Sequence, residues 1–229
     1  MSVASALKKG LENINERLKK AALKRGTPPG EIMLVAATKT VPPQVIAVAH
    51  ELGINNFGEN RVQEALPKIR SLPGSIRWHF IGHLQRNKVR AVLPVFDFIH
   101  SLDSIKLAEA IQKEAKKNNK IVDVLIQVNI GEEKSKFGFK KEEVAAAAEK
   151  LSSYDNLRVR GLMAIPPFSP DPEETRPYFR QLYHIFKNIK VPGIEMKYLS
   201  MGMSNDFEVA IEEGANIIRL GRVLFGERN

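Results

Sequence analysis

The sequence predicts an α/β fold, a closed (β/α)8 (TIM) barrel with one extra helix at its N-terminus, as a single domain over residues 1–229. Three observations predict it. Eight short apolar runs of strand length alternate with eight helical patterns, which argues for a parallel sheet with right-handed crossovers. No linker or low-complexity stretch divides the 229 residues, and eight units in about this length suit a closed barrel. An open doubly wound sheet would carry a glycine-rich phosphate turn after an early strand, and none is found there.

In chain order, residues 3–25 predict an amphipathic helix, with Leu7, Leu11, Ile14 and Leu18 on one stripe. The turn Gly26-Thr27-Pro28-Pro29-Gly30 ends it. The first strand, 32–39, is a near-continuous apolar run that stops at Lys39, as a strand buried on both faces reads. On a period of two, Met33, Val35, Ala37 and Lys39 share a face. A helix over 43–52 follows, then a short strand 54–58, Glu59-Asn60, and a helix to about Arg70. The third strand is 76–81, ending at Gly82-His83, with a short helix over 85–92. The fourth strand is 96–100, followed by a helix from Ser104 to Lys117. The fifth strand, 121–130, is the most strand-like run, and the charged loop 131–138 and an alanine-rich helix over 141–151 follow it. The sixth strand is 157–165, and Pro166-Pro167-Phe168-Ser169-Pro170 forms a rigid loop. A long helix places Phe179, Leu182, Ile185, Phe186 and Ile189 on one side. The seventh strand is 195–200. Asn205 with Glu208 opens the next helix in the manner of a capping box. The eighth strand is 215–220, and 221–225 closes the chain with a short helix.

The 43% hydrophobic content is enough for a sizeable core, and the chain has no cysteine. A disulfide framework, a thiolate nucleophile and a zinc–cysteine site are therefore excluded. No apolar run reaches membrane-spanning length. Residues 1–20 carry interspersed charges rather than a signal-peptide core. A cytoplasmic protein with no membrane partner is expected. The net charge of +9 raises the prior for anionic partners. The lysines are scattered, however, and no nucleic-acid-binding motif appears, so a solvated basic surface is the expectation.

In such barrels chemistry gathers at the C-terminal ends of the strands. Those ends offer Lys39, Asn60, His83, His100 with Ser101, Asn129, Met163, then Ser200, Met201 and Gly202, and finally Arg219, Gly221 and Arg222. Burial at the mouth of a core would disfavour the ammonium form of Lys39 and make it a nucleophile. The segments Ser200-Met201-Gly202-Met203-Ser204 and Arg219-Leu220-Gly221-Arg222 carry the hydroxyls, glycines and amides that barrels use for phosphate after strands seven and eight. Tight strand-to-helix turns use the same residues. A Schiff-base lysine beside a phosphate cradle suits pyridoxal phosphate, and it suits a sugar phosphate in an aldolase as well.

The segments Val35-Ala36-Ala37-Thr38-Lys39-Thr40, Phe57-Gly58-Glu59-Asn60, His79 to Lys88, Gly161-Leu162-Met163-Ala164-Ile165, Leu199 to Ser204 and Arg219-Leu220-Gly221 occur in this order. With them the sequence resembles the pyridoxal phosphate homeostasis protein family, itself similar to the N-terminal barrel of alanine racemases, over roughly residues 5–227. The resemblance implies that Lys39 forms the internal aldimine. It implies that Ser200, with Met201 and Gly202 beside it, and the amides near Gly221 and Arg222 hold the phosphate. Arg219 would face the pyridine nitrogen, Asn60 and Met163 would line the ring, and Lys136 matches a loop lysine linked to cofactor handling. Thr38 stands where serine is more usual. An arginine at the ring nitrogen disfavours ring protonation and so makes a poorer electron sink. His83 is held as a further cofactor contact and, with Tyr198, as a candidate second base. The racemases take that base from an additional C-terminal domain, which this chain, reaching Asn229 just after the eighth strand, is expected to lack. The expectation is a monomeric carrier that stores, buffers or delivers pyridoxal phosphate to apo-enzymes that require it. A weak amino-acid racemase is the alternative.

Overall fold

The structure, a computed structural model, describes residues 2–226. Helix α1 (Val3–Arg25) starts at Ser2, whose hydroxyl accepts from the Ser5 amide (3.2 Å), and stops at Gly26, left-handed at φ 73. There the amides of Gly26 and Thr27 turn back onto Leu23 and Ala22, the glycine-capped ending that satisfies the last carbonyls. Among the described residues eight parallel strands then close in sequence order: β1 (Met33–Ala37), β2 (Asn56–Glu59), β3 (Arg77–Phe80), β4 (Phe98–Leu102), β5 (Val122–Val128), β6 (Leu157–Ala164), β7 (Tyr198–Ser200) and β8 (Ile217–Leu220). Closure is made by β1 on β8, with Met33 opposite Ile217 and Ala36 opposite Leu220. The intervening helices are α2 (Pro43–Glu51), α3 (Val62–Ser71), α4 (Val89–Val92), α5 (Ile105–Lys117), α6 (Val144–Ser152), α7 (Arg176–Asn188) and α8 (Phe207–Glu212), with α9 (Arg222–Phe225) after β8. Helix α1 lies against α8 and α9, outside the barrel.

Alternation along the strands divides the apolar residues into two layers. Val35, Phe98, Leu125, Met163 and Ile217 fill the barrel, with Met33, Ile165 and Tyr198 packed on them. The opposite strand faces, among them Ala36, Phe57, Ile99, Val124, Leu199 and Ile218, pack against the helices. The barrel is therefore solid below, and any ligand must sit at its mouth.

Three expectations are corrected. The fourth strand runs Phe98–Leu102, two residues later than its apolar pattern suggests, so His100 and Ser101 lie within the strand and not at its end. A strand buried on both faces has no polar alternation to mark where it stops. The capping box at Asn205 and Glu208 does not form: α8 begins at Phe207, Asn205 donates to the Ser169 carbonyl (2.9 Å), and Glu208 pairs with Arg17 (2.6 Å). The seventh strand is only Tyr198–Ser200 rather than 195–200.

Candidate functional site

Lys39 is presented by a turn that its neighbours hold. The Val41 amide donates to the Thr38 carbonyl (2.9 Å), closing four residues with Thr40 in the left-handed region at φ 67. For a β-branched residue that conformation costs on the order of 1–2 kcal/mol. Fully buried Thr38 supplies the anchor. Its amide donates to the Gly58 carbonyl (2.9 Å) and its hydroxyl to Glu59 Oε1 (2.8 Å). Lys68, from α3, donates to both Glu59 Oε1 (2.7 Å) and the Thr38 carbonyl (2.8 Å). A buried ion pair thus grips the residue before Lys39 from outside the barrel. Lys39 follows Met33, Val35 and Ala37 on the inward face and, half-buried, lines a cavity of about 450 Å³ at the C-terminal mouth.

That cavity gathers Lys39, Asn60, Arg219, Gly221 and Arg222, as anticipated, together with Lys136. Asn60 sits close under the β3 turn because Gly82 has no side chain there: a Cβ on Gly82 would lie 2.3 Å from the Asn60 carbonyl oxygen. Arg219 is buried. Its guanidinium donates to Ser200 Oγ (2.5 Å) and to the Ala164 carbonyl (3.0 Å), and its amide donates to the Gly202 carbonyl (3.0 Å). Burial pushes its pKa down to about 10, partly offset by the Asp206 carboxylate, so it remains a cation at neutral pH. Burial raises the Asp206 carboxyl, while the Met203 amide (2.7 Å) and Arg219 pull it back. Lys136 reaches in from the loop after β5, donating to the Pro166 carbonyl (3.1 Å) and pairing with Glu133.

Four anticipated residues lie under or behind the cavity rather than in its lining. Ser200 is fully buried, with its hydroxyl engaged by Arg219 and His100. Met163 is part of the apolar filling of the barrel, and Ile165, two residues on along the same face, lines the cavity instead. Met201 faces the helix layer, and Gly202 contributes its carbonyl to Arg219. His83 joins none of them. It pairs with Asp103 (2.9 Å), stacks on Phe137 with ring centroids 3.5 Å apart, and lines a separate open cleft with Arg86 and Lys106. Ile81 is the residue that the third strand sends into the cavity. Tyr198 packs within the barrel, its ring edge-on to Phe98 at 5.6 Å.

Sequence reasoning placed Ser204 in the phosphate segment after strand seven but did not foresee its backbone partners. Its hydroxyl accepts from the amides of Gly221 and Val223 (both 3.3 Å), so it ties the turn after β7 to the start of α9 at the cavity wall. Sequence reasoning missed Lys68, although a lysine continuing the three-residue spacing of Val62 and Ala65 on one apolar stripe was a readable signal.

The residues match the family model described as the alanine racemase N-terminal domain over 11–229. The pyridoxal phosphate homeostasis protein of Aquifex aeolicus is 46% identical over 220 residues, covering 95% of this chain and 96% of that protein. A crystal structure of an unknown protein from Bifidobacterium adolescentis superposes with a TM-score of 0.90 at 35% identity, covering 97% of this chain and 96% of that one. PipY of Synechococcus elongatus, solved with PLP bound, gives a TM-score of 0.80 at 36% identity, covering 93% of this chain and all of that one (100%). On this agreement of sequence and fold, the chain belongs to the pyridoxal phosphate homeostasis protein family, built on the alanine racemase N-terminal barrel.

Proposed function

We propose that the protein binds pyridoxal 5'-phosphate in the mouth cavity, holds it through a Schiff base to Lys39, and stores, buffers or delivers it in the cytoplasm without robust turnover. The observation that carries this reading is the placement of the Lys39 amine and the Arg219 guanidinium in one cavity of about 450 Å³. The donor set fits the ligand. The amine can add to the aldehyde carbon, with loss of water, to form a carbon–nitrogen double bond. The guanidinium only donates hydrogen bonds, which suits an unprotonated ring nitrogen. Ser204 and Arg222 offer a hydroxyl hydrogen and a cation to a phosphate, and the Gly221 amide, donating to Ser204 Oγ, holds that hydroxyl at the cavity wall. Asn60, Ile81 and Ile165 are the ring's flanking residues in this reading. The name of the Aquifex aeolicus relative and the PLP-bound PipY structure support the choice of ligand over a sugar phosphate.

Carriage is favoured over racemisation by where the two candidate second bases lie. Tyr198 is packed on the barrel filling and His83 is held by Asp103 in another cleft. Neither lines the cavity that holds Lys39.

The test is the visible spectrum of the protein after incubation with pyridoxal phosphate and dialysis, followed by borohydride reduction and peptide mapping. A yellow band whose reduced adduct maps to Lys39 is expected. Lys39→Ala should lose that adduct and keep the wild-type fold by circular dichroism. A colourless protein would overturn the reading and redirect attention to sugar phosphates. Efficient conversion of L- to D-alanine would overturn the carrier assignment.

A further inference from the structure

Below the cavity a file of polar side chains runs through the otherwise apolar barrel. Arg219 donates to Ser200 Oγ (2.5 Å), and Ser200 Oγ lies 3.0 Å from His100 Nδ1. His100 Nε2 lies 2.9 Å from His79 Nδ1, and His79 Nε2 lies 3.1 Å from Asn56 Oδ1, at the start of β2. His100 and Ser200 are fully buried, and His79 is 2% exposed. These contacts admit one proton arrangement without loss. A guanidinium can only donate, so Ser200 accepts from it and passes its own hydroxyl hydrogen to His100 Nδ1. His100 then carries its proton on Nε2 and donates to His79 Nδ1, and His79 donates from Nε2 to Asn56. The reverse polarity would turn the Asn56 amide around and leave the buried Ser200 hydrogen without an acceptor, a full desolvation penalty. A proton added to either ring would set two donors against each other and place a charge in a barrel already bounded by Arg219 above and Arg77 below.

We propose that His100 and His79 are positioning residues for Arg219: the one-way chain Arg219–Ser200–His100–His79–Asn56 fixes the angle at which the guanidinium meets the ring nitrogen of bound pyridoxal phosphate. Two anchors, Ser200 Oγ and the Ala164 carbonyl, set the plane of the guanidinium at the cavity wall. The rings set Ser200 in turn, since only a hydroxyl that already has an acceptor presents its lone pair reliably to the arginine. The inference rests on the cavity being a pyridoxal phosphate site.

The experiment has two arms. In the first, ligand-free wild-type protein is examined by two-bond proton–nitrogen NMR between pH 5 and 8. His79 and His100 should both be neutral with the proton on Nε2 throughout. An Nδ1–H tautomer or a protonated ring at either position would overturn the proposal, whatever ligand the cavity takes. In the second arm, pyridoxal phosphate is titrated into wild type, His100→Leu and His100→Asn, reading affinity and the position of the visible band. His100→Leu should bind about tenfold more weakly, the scale of one lost bond in a charge-assisted network, with a shifted band. His100→Asn keeps an acceptor towards Ser200 and should stay within about twofold of wild type. Equal spectra and affinities in all three, or equal losses in both variants, would overturn the positioning role. Failure of wild type itself to bind would instead sink the pyridoxal phosphate reading, leaving the NMR arm to decide the chain. If neither variant folds, the wild-type tautomers still decide it.

Discussion

The Glu59 carboxylate takes hydrogen bonds from both Thr38 and Lys68 while fully buried, and its second oxygen has no hydrogen-bond partner in the structure. Such a group tolerates little loss. Lys68→Met would leave a buried carboxylate without a counter-charge, a change that costs about 3–5 kcal/mol, and it would free the Thr38 carbonyl that fixes Lys39. Urea denaturation should show that loss, and Glu59→Gln added to Lys68→Met should recover part of it. If the single variant unfolds like wild type, the pair is not a structural anchor. The buried histidines set a second expectation at this scale. Burial lowers His79 to about 3, aided by Arg77, and lowers His100 well below its usual value, aided by repulsion from Arg219 and from any proton placed on His79. In the unfolded chain both titrate near the ordinary value of about 6.5. As pH falls below that value the unfolded chain takes up protons that the folded chain refuses, so stability decreases. Each ring contributes up to about 1.4 kcal/mol per pH unit, and for His79 the loss continues towards pH 3. The urea midpoint at pH 5.5 should therefore lie clearly below that at pH 7.5; coincident midpoints would contradict neutral buried rings.

Strand contacts set the next scale. Gly161 on β6 pairs with Tyr198 on β7 and adopts φ 148, and a Cβ there would lie 1.8 Å from the Tyr198 carbonyl oxygen. Gly161→Ala must push β7 away, and β7 is only three residues long while carrying Ser200. The expected cost is about 3 kcal/mol, from backbone strain and overpacking together, read as a lowered denaturation midpoint. An unchanged midpoint would mean that β7 can slide without penalty. The same contacts explain which parts of the elements were legible. The helix α1 stripe and its glycine stop are local signals, and both appear where the pattern puts them. The bounds of β4 and the start of β7 were not legible, because what bounds a parallel strand is the neighbour it pairs with. For β4 that neighbour is β5, whose register with it shifts between Ile99 and Leu102.

Closure is a property of the whole chain. Strand β8 pairs with β1 over Met33 to Ala36 and with β7 at Ser200. A chain ending before Ala215 would expose two apolar strand edges, a template for association, and would lose Arg219. Such a truncation should be insoluble or aggregated by size-exclusion chromatography, whereas a monodisperse soluble product would show that the barrel tolerates opening. Among the described residues no helix is long and apolar enough to cross a membrane. The net charge of +9 is the excess of 35 Lys and Arg over 26 Asp and Glu, and cations paired with carboxylates, such as Arg176 with Glu173, Glu212 and Glu213, do not add to it.

The barrel class, and the presence of Lys39, Asn60, Arg219, Gly221 and Arg222 at its mouth, were determined by the sequence alone. Period-two faces and the βα alternation are local properties, and in a barrel they suffice to say which end and which face a residue takes. Tertiary structure decided the rest. Alternation says that a residue points inward, but depth along the barrel axis separates a cavity wall from a buried support: Ile165 from Met163, and the lining Arg219 from the hidden Ser200. The direction in which a loop leaves a strand depends on distant partners. His83 turns away onto Asp103 and Phe137, and Ser204 is brought to the cavity by amides beyond β8. The file of His100 and His79 beneath Arg219 joins four strands, β2, β3, β4 and β7, to β8, and only closure of the barrel brings those side chains within hydrogen-bonding distance.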